Sequence, residues 1–134
     1  MEQYLEKIKA HPAFEGITED ADILWLRKCM DAKVEIFERG DTMFREGEEL
    51  RFASIVLEGS VLAVSDEGNI KHIESGDVLF RGIPSGQYIY APYTALADTD
   101  VTVFSMRVLR LGKLCSFRCA FHARLLENLS KYFS

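Results

Sequence analysis

The chain has no long hydrophobic run and few cysteines. No apolar stretch in its 134 residues approaches the ~20 residues that a membrane-spanning helix needs. The N-terminus is acidic and lacks the apolar segment of a secretory signal. The three cysteines, Cys29, Cys115 and Cys119, are odd in number, which argues against a disulfide framework and fits a reducing compartment. We therefore expect a cytoplasmic protein that does not interact with membranes.

Histidine is also scarce, and this bears on enzymatic function. The three histidines are His11, His72 and His122, and of these His72 alone falls in a strand-rich part of the sequence. A cupin-like enzyme holds its metal with clustered histidines and a carboxylate, and the sequence has no His-x-His pair. A Ser-His-Asp arrangement and a Gly-rich phosphate loop are missing as well. We predict no catalytic residues and no enzymatic activity, with a small cupin-like metal-dependent enzyme as the alternative hypothesis.

One group of soft ligands stands near the C-terminus. Cys115, Cys119 and His122 are spaced i, i+4 and i+7, so on one continuous helix they share a face. Thiolates and imidazole bind zinc or iron, and two thiols can form a redox pair. A structural metal site needs a fourth ligand, and none is close in the sequence, while Gly112 suggests a break between two helices. We predict ordinary helix packing here, without metal or cofactor, and keep the metal or redox role as the alternative.

What is present is the composition of one globular domain spanning residues 1–134. Hydrophobic residues make up 48% and charged residues 28% of the chain, and the formal net charge is −5. Residues 107–134 carry six Lys and Arg against one Glu, so the rest of the chain is strongly acidic. An acidic body repels phosphate backbones, and we expect poor DNA binding by this chain.

The hydrophobic pattern divides the domain into three parts. Residues 1–31 have helical periodicity, with Thr18 as the expected N-cap of a second helix. Residues 32–106 contain short alternating runs separated by turn signals every 8 to 12 residues, which is typical of an antiparallel sandwich or barrel. These runs cover residues 42–44, 52–57, 60–64, 70–73, 78–80, 88–90, 93–96 and 101–104. The pattern predicts a mainly β fold with flanking helices, an antiparallel double-stranded β-helix or jelly-roll.

The third part, residues 107–134, returns to helical periodicity. Phe121, Leu125, Leu129 and Tyr132 follow one another at i, i+4, i+8 and i+11 and form one apolar stripe. The chain stops at Ser134 without a helix stop signal, which predicts a longer helix in the natural protein. An apolar stripe of this kind pairs with a second helix, so we predict a homodimer through the C-terminal helix. A dimerisation scaffold that binds no small molecule is a further alternative.

Glycine punctuation of the strands points to a known family. The sequence reads FERGD at 37–41, FREGE at 44–48, LEGSV at 57–61 and Gly76-Asp77 after the next strand. This spacing, between two helical parts, resembles the N-terminal effector domain of the Crp/Fnr family of bacterial transcription regulators, a cyclic-nucleotide-binding-like β-roll. The resemblance implies a sensory domain that responds to a small-molecule effector. It also implies DNA binding only through a helix-turn-helix domain that is absent from this chain.

The resemblance also implies where an effector would bind. The tentative effector pocket comprises Gly76, Asp77, Phe80, Arg81, Gly82, Tyr88, Ile89, Tyr90 and Tyr93. In relatives that bind cyclic nucleotides an Arg grips the phosphate and a Glu captures the ribose, whereas here Ile89 and Tyr90 stand at the Arg and hydroxyl positions and no Glu follows Gly82. We predict that cyclic nucleotides do not bind and that the effector is unknown. The tyrosines would suit a flat effector, or they fill the nucleotide's space as core residues.

Overall fold

The structure is a computed structural model, which describes residues 2–79, 89–107 and 120–133. In these ranges the chain forms three α-helices, α1 (Leu5–Ala10), α2 (Asp20–Cys29) and α3 (Ala120–Phe133). Nine strands lie between α2 and α3: β1 (Lys33–Phe37), β2 (Thr42–Phe44), β3 (Glu49–Leu50), β4 (Phe52–Glu58), β5 (Ser60–Val64), β6 (Ile70–Glu74), β7 (Ile89–Tyr90), β8 (Thr94–Ala97) and β9 (Val101–Arg107).

The strands form two main antiparallel sheets and one short one. The first sheet has the order β1-β9-β4, the second β2-β8-β5-β6, and β3 pairs with β7. Along β5 the residues Val61 and Ala63 are buried, while Leu62 and Val64 are only half-buried, so one face of the sheet lies on the core. The sheet architecture confirms the predicted class, mainly antiparallel β with flanking helices arranged as a β-roll.

The N-terminal helices close one side of the roll. The first helix ends at Ala10 because His11 precedes proline and takes an extended conformation, with φ −72° and ψ 136°. The chain then turns through a 3₁₀ segment, Pro12–Phe14, and the ring of Phe14 packs edge-on against Phe104 of β9 with 5.5 Å between ring centroids. Both rings are almost completely buried.

Some local predictions are wrong in detail. The second helix begins at Asp20 after Glu19, one residue beyond the expected N-cap Thr18, and no side chain caps it. The run predicted at 78–80 is not a strand where the structure describes it, because Val78 forms one isolated antiparallel bridge with Ile55. The two-residue strand β3 was not predicted. It is too short to show an alternating pattern, and it depends on pairing with β7.

The C-terminal helix packs onto its own chain. Leu125 and Leu129 are buried in the same core as the roll, and Phe121 packs against that core in part. The side-chain amide of Asn128 donates hydrogen bonds to the backbone carbonyls of Ala13 (2.9 Å) and Glu15 (2.8 Å). This corrects the assignment of Leu125 and Leu129 as partner surface, because an apolar stripe satisfied inside the domain is not free to form a dimer seam. The fourth predicted seam residue, the side chain of Tyr132, lies outside the described part.

Candidate functional site

A cavity opens on the inner face of the four-stranded sheet. Its volume is ≈ 260 Å³, and its walls come from β5 and β6, from the segment after β6, and from the residues that enter β8. The cavity is lined by Ala63, Ser65, Asn69, Ile70, Lys71, Ile73, Asp77, Val78, Leu79, Pro92 and Tyr93. Room exists beside β5 because the inward position next to buried Val61 carries the small side chain of Ala63. A pocket with apolar walls and few polar groups is typical of a small-molecule site.

The floor of the cavity is fixed to the first sheet. Gly76 donates its backbone N–H to the carbonyl of Val56 (3.0 Å), and Val56 donates to the carbonyl of Asp77 (2.9 Å). Two residues later, Leu79 donates to the carbonyl of Ser54 (2.9 Å). The turn that allows this course has Gly76 at φ +92°, a conformation that strains any other residue type. We name residues 76–79 the strap, because they hold the cavity floor against β4.

Two polar side chains meet at the strap end of the cavity. The Asp77 carboxylate accepts a hydrogen bond from the backbone N–H of Val78 (2.8 Å), which fixes its direction. Tyr93 is half-buried and packs against Phe44, with 5.6 Å between the ring centroids. Burial raises the pKa of the Tyr93 phenol, and the negative charge of Asp77 raises it further. Tyr93 is therefore neutral at physiological pH and carries a hydroxyl hydrogen.

Buried His11 connects the N-terminal helices to the strap. Its Nδ1 accepts a hydrogen bond from the backbone N–H of Ala13 (3.0 Å), so the neutral ring carries its proton on Nε2. That nitrogen lies 3.3 Å from the backbone carbonyl of Asp77 and donates to it. Burial lowers the pKa of His11, while the carbonyl and carboxylate of Asp77 oppose this shift. In the sequence His11 looked isolated, because Asp77 is 66 residues away.

The lowered pKa of His11 predicts a loss of stability in acid. The folded chain holds the neutral ring, so between the unfolded pKa near 6.5 and the lower folded pKa the unfolded state binds more protons. The contribution of the neutral His11 ring to the free energy of unfolding is therefore complete above about pH 6.5 and falls as the pH drops. We expect urea unfolding at pH 8.0 and pH 5.5 to show this fall in the unmodified chain and a smaller one in His11→Asn.

His72 provides the control for this measurement because it is exposed on β6. His72→Asn should retain the full difference in unfolding free energy between the two pH values. An equal acid-induced loss in all three proteins would contradict the role given to His11.

The structure brings some of the predicted pocket residues together. Asp77 and Tyr93 line the cavity, and Gly76 forms the turn beside it. Tyr90 lies on β7 opposite Glu49 and is 70% exposed, so it does not fill the interior as the core alternative proposed. Ile89 belongs to β7, but its side chain lies outside the described part of the chain. Phe80, Arg81, Gly82 and Tyr88 also lie outside the described residues.

Ala63 and Lys71 are among the lining residues that sequence reasoning missed. They stand opposite each other in the β5–β6 hairpin and belong to the same inward face. The turn signal Asp66-Glu67-Gly68-Asn69 marked the hairpin. The register was the missing information, since a shift of one residue would turn Lys71 to the outer face.

The soft-ligand cluster predicted from the sequence falls outside the described part of the chain. Cys115 and Cys119 lie outside the described residues, as does the side chain of His122. Within residues 2–79, 89–107 and 120–133, no group of three or more His, Cys, Asp and Glu side chains is arranged to hold a metal ion. Over the same ranges, no helix has the length and apolar character needed to span a membrane.

Comparison with known proteins rests on structure. No protein-family model matches the sequence, and no curated protein matches it either. The N-terminal domain of a transcriptional regulator from Streptomyces coelicolor superposes with a TM-score of 0.69 at 21% identity, over 93% of this chain and 88% of that one. The sensor domain of the transcriptional regulator DNR from Pseudomonas aeruginosa gives 0.66 at 16% identity, over 95% and 91%.

A third similar structure comes from a different regulatory protein. The regulatory subunit of a cAMP-independent protein kinase A from Trypanosoma brucei superposes with a TM-score of 0.67 at 25% identity. It matches over 97% of this chain and 46% of the subunit. The antiparallel β-roll is thus shared with domains of two transcriptional regulators and with the regulatory subunit of a protein kinase. The chain has the β-roll fold of cyclic-nucleotide-binding domains.

Proposed function

We propose that this chain is the sensory domain of a Crp/Fnr-type transcription regulator, which binds an effector in the cavity between the β5–β6 hairpin and the strap. The observation that carries the proposal is the cavity itself. The strap that forms its floor is hydrogen-bonded to β4 and, through His11, to the segment that follows the first helix. An effector there would contact the second sheet and the strap, which is hydrogen-bonded to β4 of the first sheet. The domain would act by binding and not by catalysis, as its structural neighbours are regulatory domains.

The proposal includes a partner arrangement that the sequence suggested. DNA would be bound by a separate domain, and two copies of the chain would associate through α3. Because Leu125 and Leu129 are buried within the domain, such a dimer would use the opposite face of α3, where Ala123 and Glu127 are exposed. Sedimentation of this chain against one extended by further residues of the helix would show whether the association exists.

We further propose that cyclic nucleotides are not the effector. A cyclic phosphate held away from water needs a guanidinium or several N–H donors, and Ile89 stands where the family has its Arg. Among the described residues lining the cavity, Lys71 is the one cation, and the carboxylate of Asp77 in the same lining repels a phosphate. The trypanosome subunit is described as cAMP-independent, and a triple variant of it has been crystallised with cAMP in its A site. Loss of cyclic-nucleotide binding is thus compatible with this fold.

Calorimetry with cAMP and cGMP tests this part. We expect no measurable binding to the unmodified chain up to ~1 mM, because a buried phosphate without its cation loses several kcal/mol. The variant Ile89→Arg should gain affinity for cAMP, and Ile89→Leu should not. Micromolar affinity of the unmodified chain for either nucleotide would contradict the proposal.

Filling the cavity tests the effector site as such. Ala63→Leu would occupy space beside Ile73 and should abolish the thermal stabilisation that any bound effector produces. Leu62→Met changes the neighbouring residue on the outer face of β5 and should leave that stabilisation intact. A compound that stabilises both variants equally would bind elsewhere, and the cavity would lose its assignment as the effector site.

A further inference from the structure

Lys71 occupies an unusual place for a lysine. It stands opposite Ala63 in the β5–β6 ladder, on the inward face of the sheet, and its side chain lines the cavity while reaching solvent. Its strand is the edge of the four-stranded sheet, so the ammonium group lies at the cavity mouth. A long aliphatic stem along an apolar wall with a solvated charged end is the ordinary way for lysine to occupy such a position.

The other described lysines have partners, and Lys71 differs from them. Lys7 pairs with Glu58 and Lys9 with Asp20, Lys33 contacts Glu35 and the ring of Phe52, and Lys28 lies over the ring of Trp25. Within residues 2–79, 89–107 and 120–133, the ammonium group of Lys71 has no hydrogen bond or ion pair, and only its backbone pairs with β5. A cation directed at a cavity with no protein partner in these ranges is available to an anionic ligand.

The rest of the lining restricts what that anion carries. Ile73, Val78 and Leu79 supply an apolar wall behind Lys71, which favours a ligand with a hydrocarbon or aromatic body. Asp77 lies at the strap end, where its negative charge repels a second anionic group. The cavity is also small, at ≈ 260 Å³. One positive charge at the mouth and an apolar interior suit a ligand with a single negative charge at one end.

We propose that the cavity binds a small monocarboxylic acid with an apolar body, whose carboxylate pairs with the ammonium of Lys71. This inference rests on the proposed function, since it names the effector class of the same site. Ser65 and Asn69, also in the lining, lie on the turn next to Lys71 and are additional polar groups at this end. The neutral Tyr93 hydroxyl, also in the lining, suits a ligand with a polar substituent on its body.

The test compares acids with their neutral counterparts. Calorimetry of the full chain at pH 7.5 would use butyrate, hexanoate and phenylacetate, and beside them hexanamide and phenylacetamide. We expect hexanoate and phenylacetate to bind at least tenfold more tightly than their amides, because the charge-assisted bond to Lys71 is lost in the amide. Affinity should rise from butyrate to hexanoate as more apolar surface enters the cavity.

Substitution of the lysine gives the second arm. Lys71→Gln should lower the affinity for phenylacetate about tenfold and make acid and amide bind equally, with the free energy of unfolding unchanged, since Lys71 is exposed. Lys28→Gln, an exposed lysine on α2, is the matched control and should keep the preference for the acid. Equal affinity for acid and amide in the unmodified chain, or an unchanged preference in Lys71→Gln, would overturn the inference.

Failure of this inference and failure of the proposed function give different results. If no acid binds but a compound of another class stabilises the chain and loses its effect in Ala63→Leu, the carboxylate assignment is wrong and the sensory site stands. If no compound of any class depends on Ala63, both are wrong.

Discussion

Gly59→Ala is expected to lower the free energy of unfolding by about 3 kcal/mol and the melting temperature by about 10 °C. Gly59 makes the turn between β4 and β5 at φ +94°, where an alanine is strained. A Cβ at this position would lie 2.3 Å from the carbonyl oxygen of Asp100, a backbone atom that cannot rotate away. The clash therefore adds to the conformational strain.

The contact matters because this turn joins the two sheets. Ser60 donates its N–H to the hydroxyl of Thr99 (3.0 Å), and the N–H of Asp98 donates to the carbonyl of Ser60 (2.9 Å). These bonds connect the start of β5 to the loop between β8 and β9. Moving Asp100 to make room for a methyl group would disturb them together.

Gly68→Ala provides the matched control for Gly59. It has nearly the same backbone conformation, φ +85°, but open space where its Cβ would stand. Its loss should be only about 1 kcal/mol, from conformational strain alone. Urea unfolding of the two variants measures the difference. Equal losses would show that the close approach of Asp100 contributes nothing.

Asn128→Asp should destabilise the chain by about 3 kcal/mol at pH 7, although the two side chains have nearly the same size. The Asn128 amide nitrogen donates to the carbonyls of Ala13 and Glu15, and the residue is only 5% exposed. A carboxylate in its place would direct negative charge at two carbonyl oxygens in a desolvated position. Asn128→Ala, which removes the donor without adding a charge, should cost about 2 kcal/mol.

This effect should be concentrated where α3 meets the N-terminal 3₁₀ segment. Hydrogen exchange should increase in residues 120–133 and 11–16 before it increases in the strands, since local opening follows the weakened contact. Acid should partly restore Asn128→Asp, because a protonated carboxyl can donate one hydrogen bond. Ala123→Gln, on the exposed face of the same helix, is the control. If Asn128→Asp lowers the free energy of unfolding no more than this control, the Asn128 hydrogen bonds to Ala13 and Glu15 do not stabilise the contact with α3.

Sequence patterns predicted the elements where they repeat often enough. Strands such as β5 and β9 either alternate or stay mainly apolar over five to seven residues. The turns at Gly59 and Gly76 are marked by glycine, the residue type that these turns require. The strand at 78–80 was predicted from its composition, but Val78 pairs with β4 at one point only. Composition reports the preference of a segment for extended backbone, whereas a strand also needs a neighbour along its length.

The residues of the candidate site also divide into those that the sequence pointed out and those that it did not. Asp77 was found because its Gly-Asp turn resembles a family pattern, and Tyr93 because an aromatic side chain suits a flat effector; both line the cavity. Lys71 and His11 were not assigned to it, because their roles depend on residues far away in the chain, the former through the hairpin register and the latter through the carbonyl of Asp77.

The sequence by itself determined a mainly antiparallel β-roll between helical ends, because periodicity and turn glycines act over a few neighbouring positions. The tertiary structure decided which faces are used. It buried Leu125 and Leu129 inside the domain and placed Lys71 at the mouth of a cavity. An apolar stripe or a lone lysine has the same sequence whether it meets its own chain, a partner or a ligand, and only the packing of distant segments distinguishes these cases.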